Sequence, residues 1–497
     1  MMQAVLVSLF AVAGFICALW WTNIAGVART VITASLTGVS SLFDNQLSDR
    51  EKERAARQAG IRLLIGGGNI AWRIALALAL AGLPIWLADR VGFVAGGAVL
   101  DVMLRVDYIV IVSVLAIVVV KGAGRLRKPV APQQTKDPLY SPVDQFVHNF
   151  AFASPAILKF AARVEGGLTA KSSRPAISQP IFVTSLARGG TTAVLNALHD
   201  APEIATHIYR DMPFVTAPVM WNKLAGGQKR SVRRQARAHG DGMQIDLNSA
   251  EALEEVVWKM FWPQNYTGAT IPLWKAEDQV PQANRFLHDH MASIIRARNV
   301  QAPPGTQSKT RYCSKNNANI ARIPYLLKAF PDCRIVVPIR RPECHAMSLL
   351  RQHLNFSSLQ NDDSFVTRYM ADIGHYEFGN LHKPFLFPDL SQGALDAHQP
   401  DYWLDYWTCA FQEILRYKES CIFVLQDDLR STPQATMMAL YKNLGLSAGD
   451  QDFPSYFHSQ PDVTETEAFT PERLQQAQDL YAAVQDYAQL GQAKIAM

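Results

Sequence analysis

The chain has 497 residues, 49% of them apolar and 18% charged, with a formal net charge of +5. That length supports two or three domains with a substantial core. The modest positive excess, much of it gathered beside apolar runs, fits anionic lipid headgroups and makes no case for nucleic acid as a partner. Six cysteines without any C-x-x-C spacing read as unpaired buried thiols in a reducing compartment rather than as a disulfide set.

In chain order, residues 1–28 carry no charge, and the run from Ala4 to Trp21 approaches the roughly 20 residues that cross a bilayer. A cleaved signal peptide would want an early Lys or Arg and small residues at its end, so a retained membrane helix is expected. A second span is expected over 63–88, with Arg73 as its one charge, and a third over 102–120. Arg73 has two readings: a functional group, or a charge that snorkels or pairs inside the bundle. Between the last two spans, "VGFVAGGAVL" is apolar but too short to cross and reads as a re-entrant or interfacial piece. The loop from Arg29 to Arg62 holds six Lys/Arg, the 89–107 connection two, and Lys121 to Lys128 four. The positive-inside rule then puts the N-terminus outside and everything after Lys121 inside, as a multi-pass protein with an internal C-terminal domain.

Residues 1–128 are thus expected to form a membrane region and 129–175 a linker, with "KPVAPQQTKDPLYSP" as its clearest stretch. Within the linker, "VDQFVHNFAFASPAILKFAARV" reads as one or two amphipathic helices, which either lie along the membrane surface or pack on the following domain. The main domain is expected over 176–460, followed by a helical tail over 461–497. In the main domain, Ile181-Phe182-Val183 reads as a buried strand that runs into "TSLARGGTT" and then into a helix with Val194, Leu195 and Leu198 on one face. Strand, Gly-rich turn and helix start in succession point backbone N–H groups and a positive dipole end at one place, which holds an anion such as a phosphate. Arg188 adds a charge there, and Thr191 and Thr192 add hydroxyl donors. Helix-like stretches over 251–262, 283–298 and 318–329 precede a second strand, "CRIVVPIR". Arg340 ends that strand, Pro342 starts a helix, and Ser348 follows Arg340 by eight residues, about two turns. A third strand lies in "CIFVLQDDL" at 421–429. The expected fold is α/β, a parallel sheet flanked by helices, with ligand contacts at the strand-ending loops.

With these residues in place, the chain from about 180 to 446 resembles the nucleotide-dependent sulfotransferases, which have a P-loop NTPase-like fold. "LARGGTT" is similar to the family's strand–P-[RK]-S-G-T-T–helix signature. Arg340, Pro342 and Ser348 match its strand ending in Arg-x-Pro with a later Ser. "RYCSKNNANIARIPYLLKAFPDCRIVVPIR" looks like its Lys-bearing turn, with Lys315 in the Lys place, and "LQDDLRSTPQATMMALYKNLGL" looks like its closing stretch. Two departures are Ala187 for the usual Pro and Gly189 for the usual Ser, which implies a looser loop with one hydroxyl fewer.

The resemblance implies a sulfonate donor, 3′-phosphoadenosine 5′-phosphosulfate (PAPS), and no metal. It gives Arg188, Gly189, Gly190, Thr191 and Thr192 to the 5′-phosphosulfate, Arg340 and Ser348 to the 3′-phosphate, and Arg188 with Lys315 to the charge that develops during transfer. The chain lacks G-x-x-x-x-G-K-[ST], so a Mg-dependent NTPase loop is not written here. An acceptor hydroxyl also needs a base. Asp211, ahead of the apolar "MPF", is the first choice, with Glu203 and His207 in the same segment and His239 and Asp241 in "HGDGMQID" as others; Asp211 with Arg210 also reads as a surface pair. His288 and His290 share no helical face and Cys344-His345 has no partner at ligand spacing, so neither pair reads as a metal site. Trp403, Tyr406 and Trp407 read as core or as a surface on which an acceptor stacks. The expected activity is sulfonate transfer to a hydroxyl or amine of a lipid or glycan acceptor at the cytoplasmic face of a bacterial inner membrane. The rival readings are an inactive relative that binds nucleotide or a partner, and a kinase on the same core.

Overall fold

The computed structural model describes residues 2–24, 27, 49–105, 108, 142–168, 175–225, 235–236, 244–303, 305–390, 396–457 and 465–496. The chain divides into two compact units, Met1–Asp137 and Pro138–Met497.

In the first unit, α1 (Met2–Trp21) and α2 (Asp49–Arg90) pack against each other, and the short α3 (Gly96–Met103) places Val99 against Ala4 and Val7. Gly14 is the contact that lets the first two helices approach: a Cβ there would lie 3.1 Å from the Leu80 carbonyl oxygen. Arg73 is paired inside this unit, donating to the Thr22 carbonyl at 3.0 Å and to the Asn69 side chain at 3.0 Å. The carbonyl it reaches is one that the end of α1 leaves without an intrahelical donor. Ile65–Arg90 is the one helix among the described residues long and apolar enough to cross a membrane, about 39 Å at 1.5 Å per residue, and its side chains are almost all uncovered. Gln3–Leu19 is apolar but shorter. Of the third expected span, residues 102–105 end α3 and turn; the rest, Tyr108 apart, lies outside the described residues, as do the Pro-rich linker stretch and much of the first basic loop.

The second unit opens with α4 (Pro142–Ala151) and α5 (Pro155–Gly167). These are the two amphipathic helices, and their apolar side packs on the domain, with Ala151 and Leu158 against Val256, Met260 and Ile373. The sheet holds β1 (Ile181–Val183), β2 (Ile204–Ala205), β3 (Arg311–Lys315), β4 (Arg334–Ile339) and β5 (Cys421–Leu425), all parallel, in the order β2-β3-β1-β4-β5. The central strands β1 and β4 are apolar on both faces because helices cover both. Around it lie α6 (Thr191–His199), α7 (Pro218–Ala225), α8 (Glu255–Phe261), α9 (Pro281–Gln301), α10 (Ile323–Ala329), α11 (Pro342–Asp362), α12 (Ser364–Ile373), α13 (Pro400–Leu415), α14 (Gln426–Ser431), α15 (Pro433–Leu444) and α16 (Pro471–Ala496).

Two of these strands, β2 and β3, have no clear apolar run in the sequence. The strand expected over 421–429 stops at Leu425, where α14 begins. The C-terminal helix is part of the domain: Ala477, Tyr481 and Val484 are buried in the main core, and the Tyr481 ring lies against Trp407. The connection leaving β1 runs to β2 on one side of the sheet and the one leaving β4 runs to β5 on the other. Together β1 and β4 flank the point where the strand order reverses, and a ligand crevice belongs at their carboxyl ends.

Candidate active site

The loop from β1 to α6 sits at that point. Arg188 holds a left-handed backbone, φ 69°, a conformation that costs a non-glycine residue on the order of 1–3 kcal/mol and gathers at functional sites. Gly190, at φ 94°, is the N-cap of α6, and no side chain caps that helix end. Alternating left-handed residues ahead of an uncapped helix form a concave array of N–H donors suited to an anion.

The sequence-chosen residues converge on this loop. Arg188 Nε donates to Ser348 Oγ at 3.3 Å, and an Arg340 guanidinium nitrogen donates to the Arg188 carbonyl at 3.4 Å. Lys315, buried at the last position of β3, pairs in register with Val183, the last residue of β1, so it lies directly beside the start of the loop. It therefore ends a strand rather than sitting in the turn that follows. Thr191 is buried and donates to Asn317 Oδ1 at 3.2 Å; Thr192 is half-buried on the same first turn.

Gly189 answers to space. It has no left-handed φ, and a Cβ there would fall 2.9 Å from Ser185 Oγ and 3.1 Å from both His345 Cε1 and the Leu186 carbonyl. A larger residue at 189 would need these neighbours to shift. His345 is part of the same packing, its Nε2 donating to the Ala187 carbonyl at 2.7 Å. A residue that the sequence offered only as half of a Cys–His pair thus anchors the loop from the first turns of α11.

Beside the loop lies a pocket whose lining includes Leu186, Ala187, Trp403 and Tyr406. Trp403 and Tyr406 are core residues that also line the pocket, while Trp407 packs on Phe411. Two carboxylates reach the pocket, Glu255 and Glu377. Glu255 receives both Arg322 nitrogens, at 2.8 and 2.9 Å, together with Asn316 and the Tyr266 hydroxyl. Burial pushes its carboxyl up, but the Arg322 charge and these hydrogen bonds hold it below the usual carboxylate value. The Arg322 guanidinium is itself clamped between the Trp258 and Trp274 rings, at 4.3 and 4.4 Å.

The expected bases lie elsewhere. Asp211 does not line the pocket; it is fully buried, ion-paired with Arg298, and accepts from Asn222 and the Ile208 N–H. Burial raises its carboxyl, but Arg298 and His207 bring it down to about 2, far from a value at which it would take a proton near neutrality. Its partner in the structure is Arg298, not Arg210. His207 lies between Asp211, at 3.6 Å, and His290 Nε2, at 3.1 Å, with its ring edge-on to Tyr312. Tyr312 precedes Lys315 by three residues, about 10 Å along a strand, so this buried group sits below the loop edge of the sheet. Burial and the neighbouring His207 push the His290 imidazole well below its usual value. Glu203 lies at the opposite, amino edge, its carbonyl taking the Arg311 N–H that starts β3. His239 and Asp241 lie outside the described residues. Among the described residues no group of three or more His, Cys, Asp and Glu is placed to hold a metal ion.

Two polar residues at the site carried no sequence signal of their own, Asn317 and Glu377. Asn317 follows Lys315 by two residues inside the Lys-bearing segment, which is the one hint the sequence contained. Glu377 lies in an irregular loop 60 residues after Asn317, and only the fold brings it near.

Residues 180–383 match the model of the sulfotransferase family. The structure is similar to a sulfotransferase from Mycobacterium avium (TM-score 0.43, 13% identity, covering 71% of this chain and 87% of that one). It is also similar to one from Mycobacterium tuberculosis (TM-score 0.37, 15% identity, 68% and 86%) and one from Alicyclobacillus acidocaldarius (TM-score 0.30, 14% identity, 61% and 96%). No curated protein matches the chain in sequence.

Proposed function

We propose that this chain, which carries a sulfotransferase-family domain over residues 180–383, moves a sulfonate group from PAPS to a hydroxyl or amine of a membrane-associated acceptor, a lipid headgroup or glycan. The observation that carries the reading is the meeting of Arg188, Arg340 and Ser348 over an uncapped helix start. Two phosphate groups on one nucleotide call for two clusters of donors, and this edge of the sheet has both. The α6 N-terminus with Arg188, Gly189, Gly190, Thr191 and Thr192 would take the 5′-phosphosulfate, and Arg340 with Ser348 the 3′-phosphate. In-line transfer builds negative charge on the bridging oxygen, where fixed cations stabilise the transition state more than the ground state. Arg188 and Lys315 are the cations for that task.

The apolar helix Ile65–Arg90 supports a membrane location and hence a membrane-derived acceptor. The Lys/Arg distribution supports a cytoplasmic domain, on the side where a bacterial cell makes PAPS. The test is transfer itself. Membranes holding the full-length chain, given radiolabelled PAPS, should pass label into lipid or glycan material, and membranes without the chain should not. Equal labelling of both would remove the reading.

A further inference from the structure

We propose that Glu377 takes the proton from the acceptor and that Asn317 holds it in register with the donor loop, an assignment that rests on the sulfonate-transfer reading above. The geometry is a chain of contacts from one half-site to the other. Thr191 Oγ1, on the first turn of α6, donates to Asn317 Oδ1 at 3.2 Å; Asn317 Nδ2 in turn donates to Glu377 Oε1 at 3.2 Å. Asn317 itself is buried, and its carbonyl accepts from Thr184 at 3.4 Å, so it is fixed from the β1 side as well. The carboxylate it holds lines the same pocket as Leu186 and Ala187, the residues just ahead of Arg188. An acceptor hydroxyl bound in that pocket would have this carboxylate and the donor loop among its neighbours.

The other carboxylate in the pocket is already spent. Glu255 has both oxygens bound by Arg322, with Tyr266 and Asn316 in addition, so it keeps the Arg322 charge neutral and has no use for a proton. Glu377 is half-buried and rides on a loop that is pinned to α11. Gln360 Oε1 accepts from the Asn380 N–H at 2.6 Å and the Leu381 N–H at 3.3 Å, and His353 Nδ1 accepts from the Gly379 N–H at 3.2 Å. Gly379 is left-handed, φ 71°, and a Cβ there would fall 2.4 Å from Gln360 Oε1, so only glycine permits this approach. A stiff support of this kind keeps a base at fixed distance from the group it serves.

In the step itself the acceptor oxygen forms a bond to sulfur as the bond from sulfur to the bridging phosphate oxygen breaks. The hydroxyl proton passes to Glu377 Oε2, and the leaving electron pair stays on the phosphate of adenosine 3′,5′-bisphosphate. The proton then leaves Glu377 for solvent.

The experiment uses the full-length chain in membranes, with radiolabelled PAPS for transfer and adenosine 3′,5′-bisphosphate for binding. Glu377→Gln should lower the rate at saturating PAPS by about 10²–10³, the scale of a lost general base, with bisphosphate affinity unchanged. Glu377→Asp should recover part of the rate. Asn317→Ala should lower the same rate by roughly tenfold while the KM for PAPS moves less, because it acts through the carboxylate. A Glu377→Gln chain that transfers label at nearly the parent rate overturns the assignment, as does one that loses bisphosphate binding along with transfer. A parent chain that neither binds the bisphosphate nor transfers label defeats the sulfonate-transfer reading instead, and the two failures are told apart by the parent.

Discussion

Arg188, Arg340 and Lys315 bring three positive charges to one edge of the sheet, and what separates their roles is when the negative charge they meet exists. A 3′-phosphate is fully charged before, during and after transfer, so Arg340→Ala should raise the KM for PAPS and leave kcat largely alone. In the proposed transfer, the charge facing Lys315 grows only as the sulfonate moves. Lys315→Ala should therefore lower kcat by about 10²–10³, the cost of one preorganised transition-state donor. Initial rates over a range of PAPS concentrations separate the two; a Lys315→Ala chain with normal kcat would place that cation elsewhere. Asp211 belongs to a different class of residue. Against its burial, Arg298 and His207 bring its carboxyl down to about 2 from the ordinary aspartate value of 3.8, so the stability it supplies is present above pH 3.8 and is lost as pH falls towards 2, on the order of 2 kcal/mol. Asp211→Asn leaves Arg298 buried without its counter-charge and should cost about 3–5 kcal/mol. Denaturant melts near neutral pH and near pH 3 check both: the deficit of the variant should shrink in acid, while PAPS kinetics of the folded variant stay normal. A variant with unchanged stability and no turnover would return Asp211 to catalysis.

At the scale of elements, what the sequence showed depended on how each element is buried. β1, β4 and β5 announce themselves through β-branched and aromatic runs bounded by turns. β3, "RYCSK", is interior too, yet it has cations at both ends: Arg311 reaches the Gln179 carbonyl at the amino edge, and Lys315 stands at the ligand edge. β2 has only two residues, fewer than any periodicity can mark. Because β3 was not visible as a strand, Lys315 read as a turn residue. The apolar helices of the first unit were legible through uninterrupted apolarity, and the pairing of Arg73 with Thr22 needed two helices to be seen side by side. The Lys/Arg distribution makes a prediction at this scale. A reporter active only outside the cytoplasm, fused after residue 130, should be silent. An active reporter would put the domain on the side away from PAPS.

For the whole molecule, the donor half of the site was legible because it is local: a loop flows from a strand into a helix, and Arg340 and Ser348 are eight residues apart on the next strand–helix unit. The acceptor half was not, because Leu186, Asn317, Glu377 and Trp403 come together only through the sheet order and the packing of α11 and α13 on it. Asp211, in the segment after α6, is instead paired with Arg298 and is not among the residues that line this pocket. What the account claims above all is a site for a nucleotide with a phosphate on its 3′ oxygen. The direct measurement is nucleotide affinity of the full-length chain by thermal shift, adenosine 3′,5′-bisphosphate against Mg-ATP. A charge-assisted contact from Arg340 to a 3′-phosphate contributes about 1.5–3 kcal/mol, so the bisphosphate should bind at least roughly tenfold more tightly, and Arg340→Ala should erase most of the difference. Equal affinity for the two nucleotides, or tighter binding of Mg-ATP, would contradict a sulfonate donor and move the chain toward a kinase.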